Sequence, residues 1–485
     1  MVGIRSYGAY IPRYRLDRNK IFEAIGWVNS ATRALARGEK AVANFDEDNL
    51  TMASAAGFDC LKGIERSELE GLYFASTTMP YQERQNAGII SASLGMAENV
   101  RTIDFSGSLK SGTSALIAAL EGVGSGSVNN FLVCSSDCRL SKMGSSQELI
   151  FGDAAAAFLI SNQDVIAEYK GSFTISSDFV DHFRGRFSKF DRQWEDRWIR
   201  DTGYENIIPK VIEGFLNKYN MEIGAFSKVI YCCYYGAERK KLNKILGLDP
   251  ERVQDIMMDT IGDMGSAQSL VMLARALEDS KAGDKILVVS YGSGCDALYF
   301  EVTDKINELD KERGVSMHLK NRVEVDKYEK YLAWRNIVPI EIGLRGEEDS
   351  PTRWSMIWRS NKAIYGLCGS KCLKCGTPQF PPQRVCVNPK CGAFDEMEDY
   401  YFSNRMGKIA TYTGDNLFAT INPPQIYGNI FFDGGGKAMM NFTDCDLDSL
   451  YVGMPVSFSF RVKYTDRNRD IVRYFWKAVP IKEVQ

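Results

Sequence analysis

Lys371-Cys372-Leu373-Lys374-Cys375-Gly376, answered by Cys386-Val387-Asn388-Pro389-Lys390-Cys391-Gly392, is the stretch around which the chain divides. Two close pairs of cysteines match a tetrahedral zinc site. All the ligands would be protein thiolates, so Cys372, Cys375, Cys386 and Cys391 predict a closed, structural ion. Gly376 and Gly392 suit the tight turns that follow such pairs. The connector Thr377-Pro378-Gln379-Phe380-Pro381-Pro382-Gln383-Arg384 reads as extended chain, because its prolines oppose a helix. A redox dithiol at Cys372 and Cys375 is disfavoured by the second pair, and Cys368 stands outside the ligand set.

At 485 residues the chain has room for two or three domains, and 45% apolar with 25% charged residues supplies an ordinary core. A net charge of −3 without a basic stripe argues against nucleic acid as a partner. No apolar run of about 18 residues occurs, so no transmembrane helix is expected. Met1-Val2-Gly3-Ile4-Arg5 enters a strand-like pattern directly, so no signal peptide is expected. Together with the 12 cysteines, this predicts a reducing, cytoplasmic location. Histidine, the usual general base near neutral pH, occurs only at His182 and His318, and His318 reads as a surface residue.

Before the cysteines, strand and helix patterns alternate. Strands are predicted over 2–12, 72–78, 102–105, 130–135 and 154–160. Helices are predicted over 86–94, from Ser111, and over 52–60 behind the acidic, capping run Asp46-Glu47-Asp48-Asn49-Leu50-Thr51. The pattern partly recurs after residue 165. A strand over 228–235 leads to a lysine-rich helix ending at Gly247. The small-residue loop Gly262-Asp263-Met264-Gly265-Ser266-Ala267 opens a helix over 269–277. A strand over 285–290, the tight turn Tyr291-Gly292-Ser293-Gly294 and a strand over 297–302 follow. This recurrence predicts a duplicated, layered α/β architecture with halves 1–165 and 166–305. A charged connector spans 306–360 and the zinc ribbon 361–395. Residues 396–485 read as all-β, with strands over 408–413, 425–432, 437–442, 455–462 and 471–479 and a hairpin tip at Asp433-Gly434-Gly435-Gly436. An OB-fold barrel is expected there, with a small antiparallel sandwich as the alternative.

Ile4-Arg5-Ser6-Tyr7-Gly8-Ala9-Tyr10-Ile11-Pro12, Asp46-Glu47-Asp48, Lys110-Ser111-Gly112-Thr113, Gly152-Asp153-Ala154-Ala155-Ala156-Ala157-Phe158 and Ile286-Leu287-Val288-Val289-Ser290-Tyr291-Gly292-Ser293-Gly294 carry a resemblance. Residues 1 to about 305 resemble 3-hydroxy-3-methylglutaryl-CoA synthases of the thiolase superfamily, above all the archaeal type. Residues from about 360 to 485 resemble the rubredoxin-type zinc ribbon plus OB-fold module that accompanies thiolases and related acyl-CoA enzymes. The resemblance implies an α/β thiolase fold of two similar halves, layered α-β-α-β-α. It also implies a homodimer, a coenzyme A thioester as substrate and a thiolase-type protein partner.

Carried over residue by residue, the family's cysteine nucleophile falls at Leu109, its glutamate at Thr77, its histidine at Cys232 and its asparagine at Asp263. Leucine cannot carry an acyl group, and threonine cannot act as a carboxylate acid/base, so acyl transfer through cysteine at the usual place is not expected. The substitute candidates are Asp263 as a base or a helix cap, Cys232 as a thiol requiring a lowered pKa, and Ser108 as a nucleophile or a cap. His182 is a candidate acid/base, or else a surface histidine paired with a neighbouring acid. Tyr291 stands with Tyr231, Tyr234 and Tyr235, of which Tyr231 and Tyr235 also suit core packing. Lys110, Thr113, Gly292 and Ser293 are expected to retain the substrate pocket, and Arg197 and Arg200 are candidates for coenzyme A phosphates. The leading expectation is an acyl-CoA carbon–carbon bond enzyme with a non-standard site. The alternatives are an aldolase-type lyase on a hydroxyacyl-CoA and a non-catalytic acyl-CoA-binding scaffold subunit.

Overall fold

A computed structural model describes residues 1–344 and 352–481. Residues 345–351 of the expected connector and 482–485 of the expected barrel lie outside the described residues. The chain forms two compact units. One comprises Met1–Asn44, Ala55–Ala87 and Ala97–Tyr331; the other comprises Phe45–Ser54, Gly88–Met96 and Leu332–Gln485. Among the described residues no helix is long and apolar enough to cross a membrane.

The first unit is built on a nine-stranded sheet. One half of the sheet runs Arg101–Phe105, Gly71–Ala75, Asn130–Asp137, Ala154–Ser161, Gly3–Tyr10. Numbered by position in the chain, that order is 3-2-4-5-1. The other half repeats it: Val253, then Lys228–Tyr231, Lys285–Tyr291, Gly294–Val302 and Ala167–Ser176, with its third strand reduced to the parallel bridge Val253–Val229. The halves join where Gly3 and Ile4 pair with Glu168 and Ala167. The duplication expected from the recurrence is therefore present in the strand order. Asn130–Asp137 and Ala154–Ser161 are buried at every position, which explains why they read as continuous runs rather than alternating ones.

Helices Ser111–Gly124 and Gln268–Glu278 pack together in the middle of this unit, joining Ala115, Leu116, Leu120, Leu270, Leu273 and Leu277 in one core. A Cβ on Gly112 would lie 2.5 Å from the Ser266 carbonyl oxygen, so the glycine of Lys110-Ser111-Gly112-Thr113 is required by this close approach. On the outer face, Glu205–Tyr219 turns Ile208, Val211, Ile212 and Phe215 onto Val229, Leu287 and Tyr299. Each such buried side chain contributes about 1.5–3 kcal/mol.

Two expectations are corrected. The strand beginning at Lys228 stops at Tyr231 instead of 235, because its pairing with the neighbouring strand ends at Tyr231–Val289 and helix Gly236–Ile245 soon follows. His318 is half-buried rather than at the surface. Its ring packs edge-on to Tyr10 at 5.1 Å, and burial lowers its pKa.

In the second unit, Cys368–Cys372 pairs with Pro378–Gln379 and Met397–Tyr401 to form the ribbon. The following five strands, Gly407–Asp415, Gln425–Phe432, Lys437–Asn441, Pro455–Asp466 and Ile471–Pro480, run 3-2-1-4-5 across their sheet. A parallel bridge from Phe442 to Ala478 closes the last strand onto the third, which is the connectivity of an OB barrel. The acidic run at 46–48 does more than start a helix. Asp48 accepts from the Thr51 N–H at 2.9 Å as a cap. Asp46 lies 2.8 Å from Lys477 Nζ, and Glu47 2.5 Å from Arg461 Nη1. Burial alone would raise the Asp46 pKa; Lys477 and Arg461 outweigh it and hold it below the usual value.

Candidate active site and zinc centre

The four ribbon sulfurs all lie within 4.8 Å of one another. Cys372 and Cys391 are 3.7 Å apart, and Cys375 and Cys386 are 3.5 Å apart. A tetrahedron with Zn–S bonds of about 2.3 Å has edges of about 3.8 Å, so the donor set fits zinc. Gly376 (φ +74°) and Gly392 (φ +61°) adopt the left-handed backbone the turns require, and Gly376 N–H donates to the Cys372 carbonyl at 2.8 Å. With all four donors supplied by protein thiolates, Cys372, Cys375, Cys386 and Cys391 would hold a zinc ion in a structural role.

In the first unit, the ends of several strands and two loops enclose a cavity of about 40 Å³, room for a few atoms. Leu109 reaches it from the turn before helix Ser111–Gly124, and Arg139 from just beyond strand Asn130–Asp137. Asp181 and His182 arrive on the loop after Ala167–Ser176, and Tyr204 on a π-helical turn, Ile199–Tyr204. Cys232 and Tyr234 follow strand Lys228–Tyr231, Asp263 comes from the glycine-rich loop, and Tyr291 ends strand Lys285–Tyr291. Strand ends are where open α/β sheets place their ligands.

Two charge pairs dominate the cavity. Asp181 Oδ1 lies 2.7 Å from His182 Nδ1. Burial would lower the His182 pKa, but the hydrogen bond and charge of Asp181 raise it; reciprocally, His182 lowers the pKa of Asp181 against its burial. Asp263 Oδ2 lies 2.7 Å from Arg139 Nη2, and both side chains are buried. Burial would lower the Arg139 pKa; Asp263, then Asp191, outweigh it and keep the guanidinium charged. The guanidinium lies over the Phe151 ring, 3.9 Å from Cζ to the ring centroid. Asp263 also accepts from Gly265 N–H at 3.1 Å, so it is both ion-pair partner and turn cap. Burial, then Asp263, pushes the Cys232 thiol well above its ordinary pKa, so it stays protonated at neutral pH. Burial does the same for Tyr204, Tyr234 and Tyr291, leaving them as neutral hydroxyls.

Asp263, Cys232, His182 and Tyr291 thus meet at one cavity, with Leu109 beside them. Ser108 is not among the lining residues: its hydroxyl donates to the Gly292 carbonyl at 2.7 Å and accepts from Lys110 N–H at 3.3 Å. Lys110 Nζ and Thr113 Oγ1 turn to the buried Asp296, at 2.9 and 2.8 Å. Gly292 packs on the turn at Leu109, where a Cβ would come within 2.9 Å of its N–H, and Ser293 (φ +47°) completes the bend. Arg197 is exposed and pairs with Asp201 at 3.4 Å, and Arg200 pairs with Glu238 at 3.2 Å. None of the expected substrate contacts is therefore among the residues that line the cavity. Thr77 also lies outside the lining, with its hydroxyl donating to Asp137 at 2.9 Å. Tyr231 belongs to the core, its hydroxyl donating to the Arg239 carbonyl at 3.1 Å, whereas Tyr235 donates to Asp196 at 2.8 Å. Arg139 and Tyr204 were not expected. A charged residue just past a buried strand was the available signal for Arg139. Nothing local announces the π-helical turn that presents Tyr204.

The duplicated layered fold, with its cavity at the strand ends, is that of the thiolase superfamily, here followed by a zinc ribbon. Residues 362–398 match the family of the ChsH2 rubredoxin-like zinc ribbon domain. The hydroxymethylglutaryl-CoA synthase of Caldivirga maquilingensis is 30% identical over 346 residues, which cover 70% of this chain and 98% of that protein. That of Methanopyrus kandleri is 30% identical over 331 residues, 67% of this chain and 94% of that one. The chain belongs to the hydroxymethylglutaryl-CoA synthase family. Among solved structures, MvaS in complex with 3-hydroxy-3-methylglutaryl coenzyme A shares the fold, with a TM-score of 0.61 at 21% identity over 70% of this chain and 92% of that one.

Proposed function

We propose that this protein makes or cleaves a carbon–carbon bond on a coenzyme A thioester by proton transfer, without an acyl-enzyme. The observation that carries this reading is the His182–Asp181 pair, 2.7 Å apart, on the same cavity as Leu109. Asp181 holds the Nδ1–H, which leaves Nε2 to take a proton. In the cleavage direction His182 takes the proton of a 3-hydroxyl. The O–H pair becomes the new carbonyl, the C2–C3 pair passes into a thioester enolate, and reprotonation at C2 releases the shorter ester. In the other direction His182 takes a C2 proton, and the enolate adds to an aldehyde or ketone. Neither direction needs a nucleophile, consistent with leucine at 109 and with a Cys232 thiol that burial keeps neutral.

Coenzyme A as the carrier follows from the family and from the relative solved with 3-hydroxy-3-methylglutaryl coenzyme A. A homodimer, on the resemblance of the fold to the synthases, and a thiolase-type protein partner, through the zinc ribbon, belong to the same proposal. A second reading, a non-catalytic acyl-CoA-binding subunit, is favoured by the small cavity of about 40 Å³. To separate the two, purified protein is incubated with acetyl-CoA plus acetoacetyl-CoA, and separately with a panel of 3-hydroxyacyl-CoA esters. The esters are then resolved by liquid chromatography and mass spectrometry. A new ester, or a shorter ester with a released aldehyde or ketone, supports the enzyme; binding without conversion supports the silent subunit.

A further inference from the structure

We propose that the hairpin holding His182 and Gln193 is a lid that opens to admit the thioester and closes on it, and that Tyr235 is the latch that seats it. This rests on the reading above and adds how that site takes up its substrate. The size of the cavity sets the need. A water molecule fills about 30 Å³ of the liquid, so a cavity of about 40 Å³ holds a few atoms and not a 3-hydroxyacyl thioester. One wall must therefore move. Arg139, Cys232 and Tyr291 stand at or just beyond the ends of strands in the nine-stranded sheet. The segment that brings Asp181 and His182 is attached differently. Its strands, His182–Phe183 and Arg192–Gln193, pair with each other and, among the described residues, with no strand of that sheet.

Side chains alternate between the two faces of a strand, and this hairpin uses both. His182 and Gln193 are register partners and both line the cavity, whereas Phe183 and Arg192, the next pair, are exposed. Phe187, between the two strands, is 96% exposed. Nothing in this unit's core therefore claims the outer face. Asp181 and His182 belong to the same segment, so opening withdraws the proton-transfer pair intact and closing restores it. Polar contacts hold the closed position. Asp191 N–H donates to the Leu140 carbonyl at 2.9 Å, and Arg184 donates to the Thr77 carbonyl. The Tyr235 hydroxyl donates to Asp196 at 2.8 Å and accepts from Gln193 Nε2 at 3.0 Å, which fastens the end of the hairpin to the chain beyond strand Lys228–Tyr231. The segment leaves the sheet at Ser177, whose N–H donates to the Ser293 carbonyl at 3.3 Å, and returns through the π-helical turn Ile199–Tyr204. Such turns are frequent at functional sites, and these two places are the hinges. A short hairpin held by polar contacts that water can replace opens at low cost, as lids over reaction sites do.

The test is hydrogen–deuterium exchange of the full chain, read by mass spectrometry on peptides from 178–198, free and with saturating acetyl-CoA. The hairpin amides are expected to exchange about 100-fold faster than those of the buried strand Asn130–Asp137, and to slow about tenfold with the ester bound. Tyr235→Phe should speed hairpin exchange about tenfold and leave the strand unchanged. Asp196→Ala removes the same contact from an exposed position and should act alike. The double variant should exceed the larger single effect by less than about twofold, since both singles break one contact. The pH limb of activity should not move in Tyr235→Phe, because the His182–Asp181 contact is untouched. Hairpin exchange as slow as the strand's, or unmoved by an ester that binds, overturns the lid. Effects that multiply in the double variant, or no effect in either single, overturn the latch. A hairpin that closes on acetyl-CoA in a protein that converts no ester supports the lid and overturns only the catalytic reading. Native protein that binds no CoA ester overturns the proposed function, and closure on a thioester with it.

Discussion

Asp181 Oδ1 lies 2.7 Å from His182 Nδ1, so one ring nitrogen is engaged by the carboxylate, and under the proposed function the other is the one that would take a proton. The carboxylate raises the histidine pKa above its ordinary value despite burial. A base must be neutral to act, so activity should rise with pH through a value above about 6.5, the ordinary histidine value, and be lost as pH falls below it. Removing the carboxylate in Asp181→Asn should move that limb to lower pH and cut the plateau rate about tenfold. A pH–rate profile that does not move on substitution would remove His182 from the proton-transfer role.

The partner pair at the cavity makes a different prediction. Asp263 and Arg139 are both buried, so Asp263→Ala leaves a guanidinium without its nearest anion. Breaking such a pair costs about 3–5 kcal/mol, and a urea melt should show a loss of that size. Asp263→Asn, which keeps the shape and a hydrogen-bond acceptor, should lose less than half as much.

Cys232 should be inert as a nucleophile. Burial, then Asp263, holds its thiol protonated. Cys232→Ser should keep the rate within about threefold, and iodoacetamide at pH 7 should not label Cys232 in the folded protein. Mass-spectrometric trapping of an acyl group on this sulfur would reverse that view.

The ribbon cysteines should carry one zinc per chain. Elemental analysis of purified protein with those cysteines reduced checks it, and a content far below one would defeat the assignment. Cys386→Ser should lose the metal and lower the melting temperature, since metal affinity at such sites is folding free energy.

In the second unit, Asp46 has a depressed folded-state pKa, because Lys477 and Arg461 outweigh its burial. A depressed carboxylate contributes stability above its unfolded value of about 3.9 and loses it as pH falls through the folded value. Acid titration of thermal stability should therefore show a destabilising step below about pH 4 that is smaller in Asp46→Asn.

How much of this was legible depended on range. The cysteine pairs, the left-handed glycines after them and the buried strands could be read because each rests on neighbours a few residues away. The strand over 228–235 was drawn too long for the same reason. Tyr231 to Tyr235 looks uniformly apolar, and only the end of pairing at Tyr231–Val289 turns Cys232 and Tyr234 toward the cavity. Lys110 and Thr113 had the right neighbours for substrate contacts, but the carboxylate they meet, Asp296, is more than 180 residues away.

The sequence by itself determined the duplicated α/β halves, the zinc ribbon and the barrel, because periodicity, turn chemistry and ligand spacing are local properties. Only the tertiary structure decided that Arg139, His182, Tyr204, Asp263 and Tyr291 share one cavity, and which charges pair there. These residues come from separate strands and loops, and the order in which strands hydrogen-bond, not their spacing along the chain, sets who meets whom.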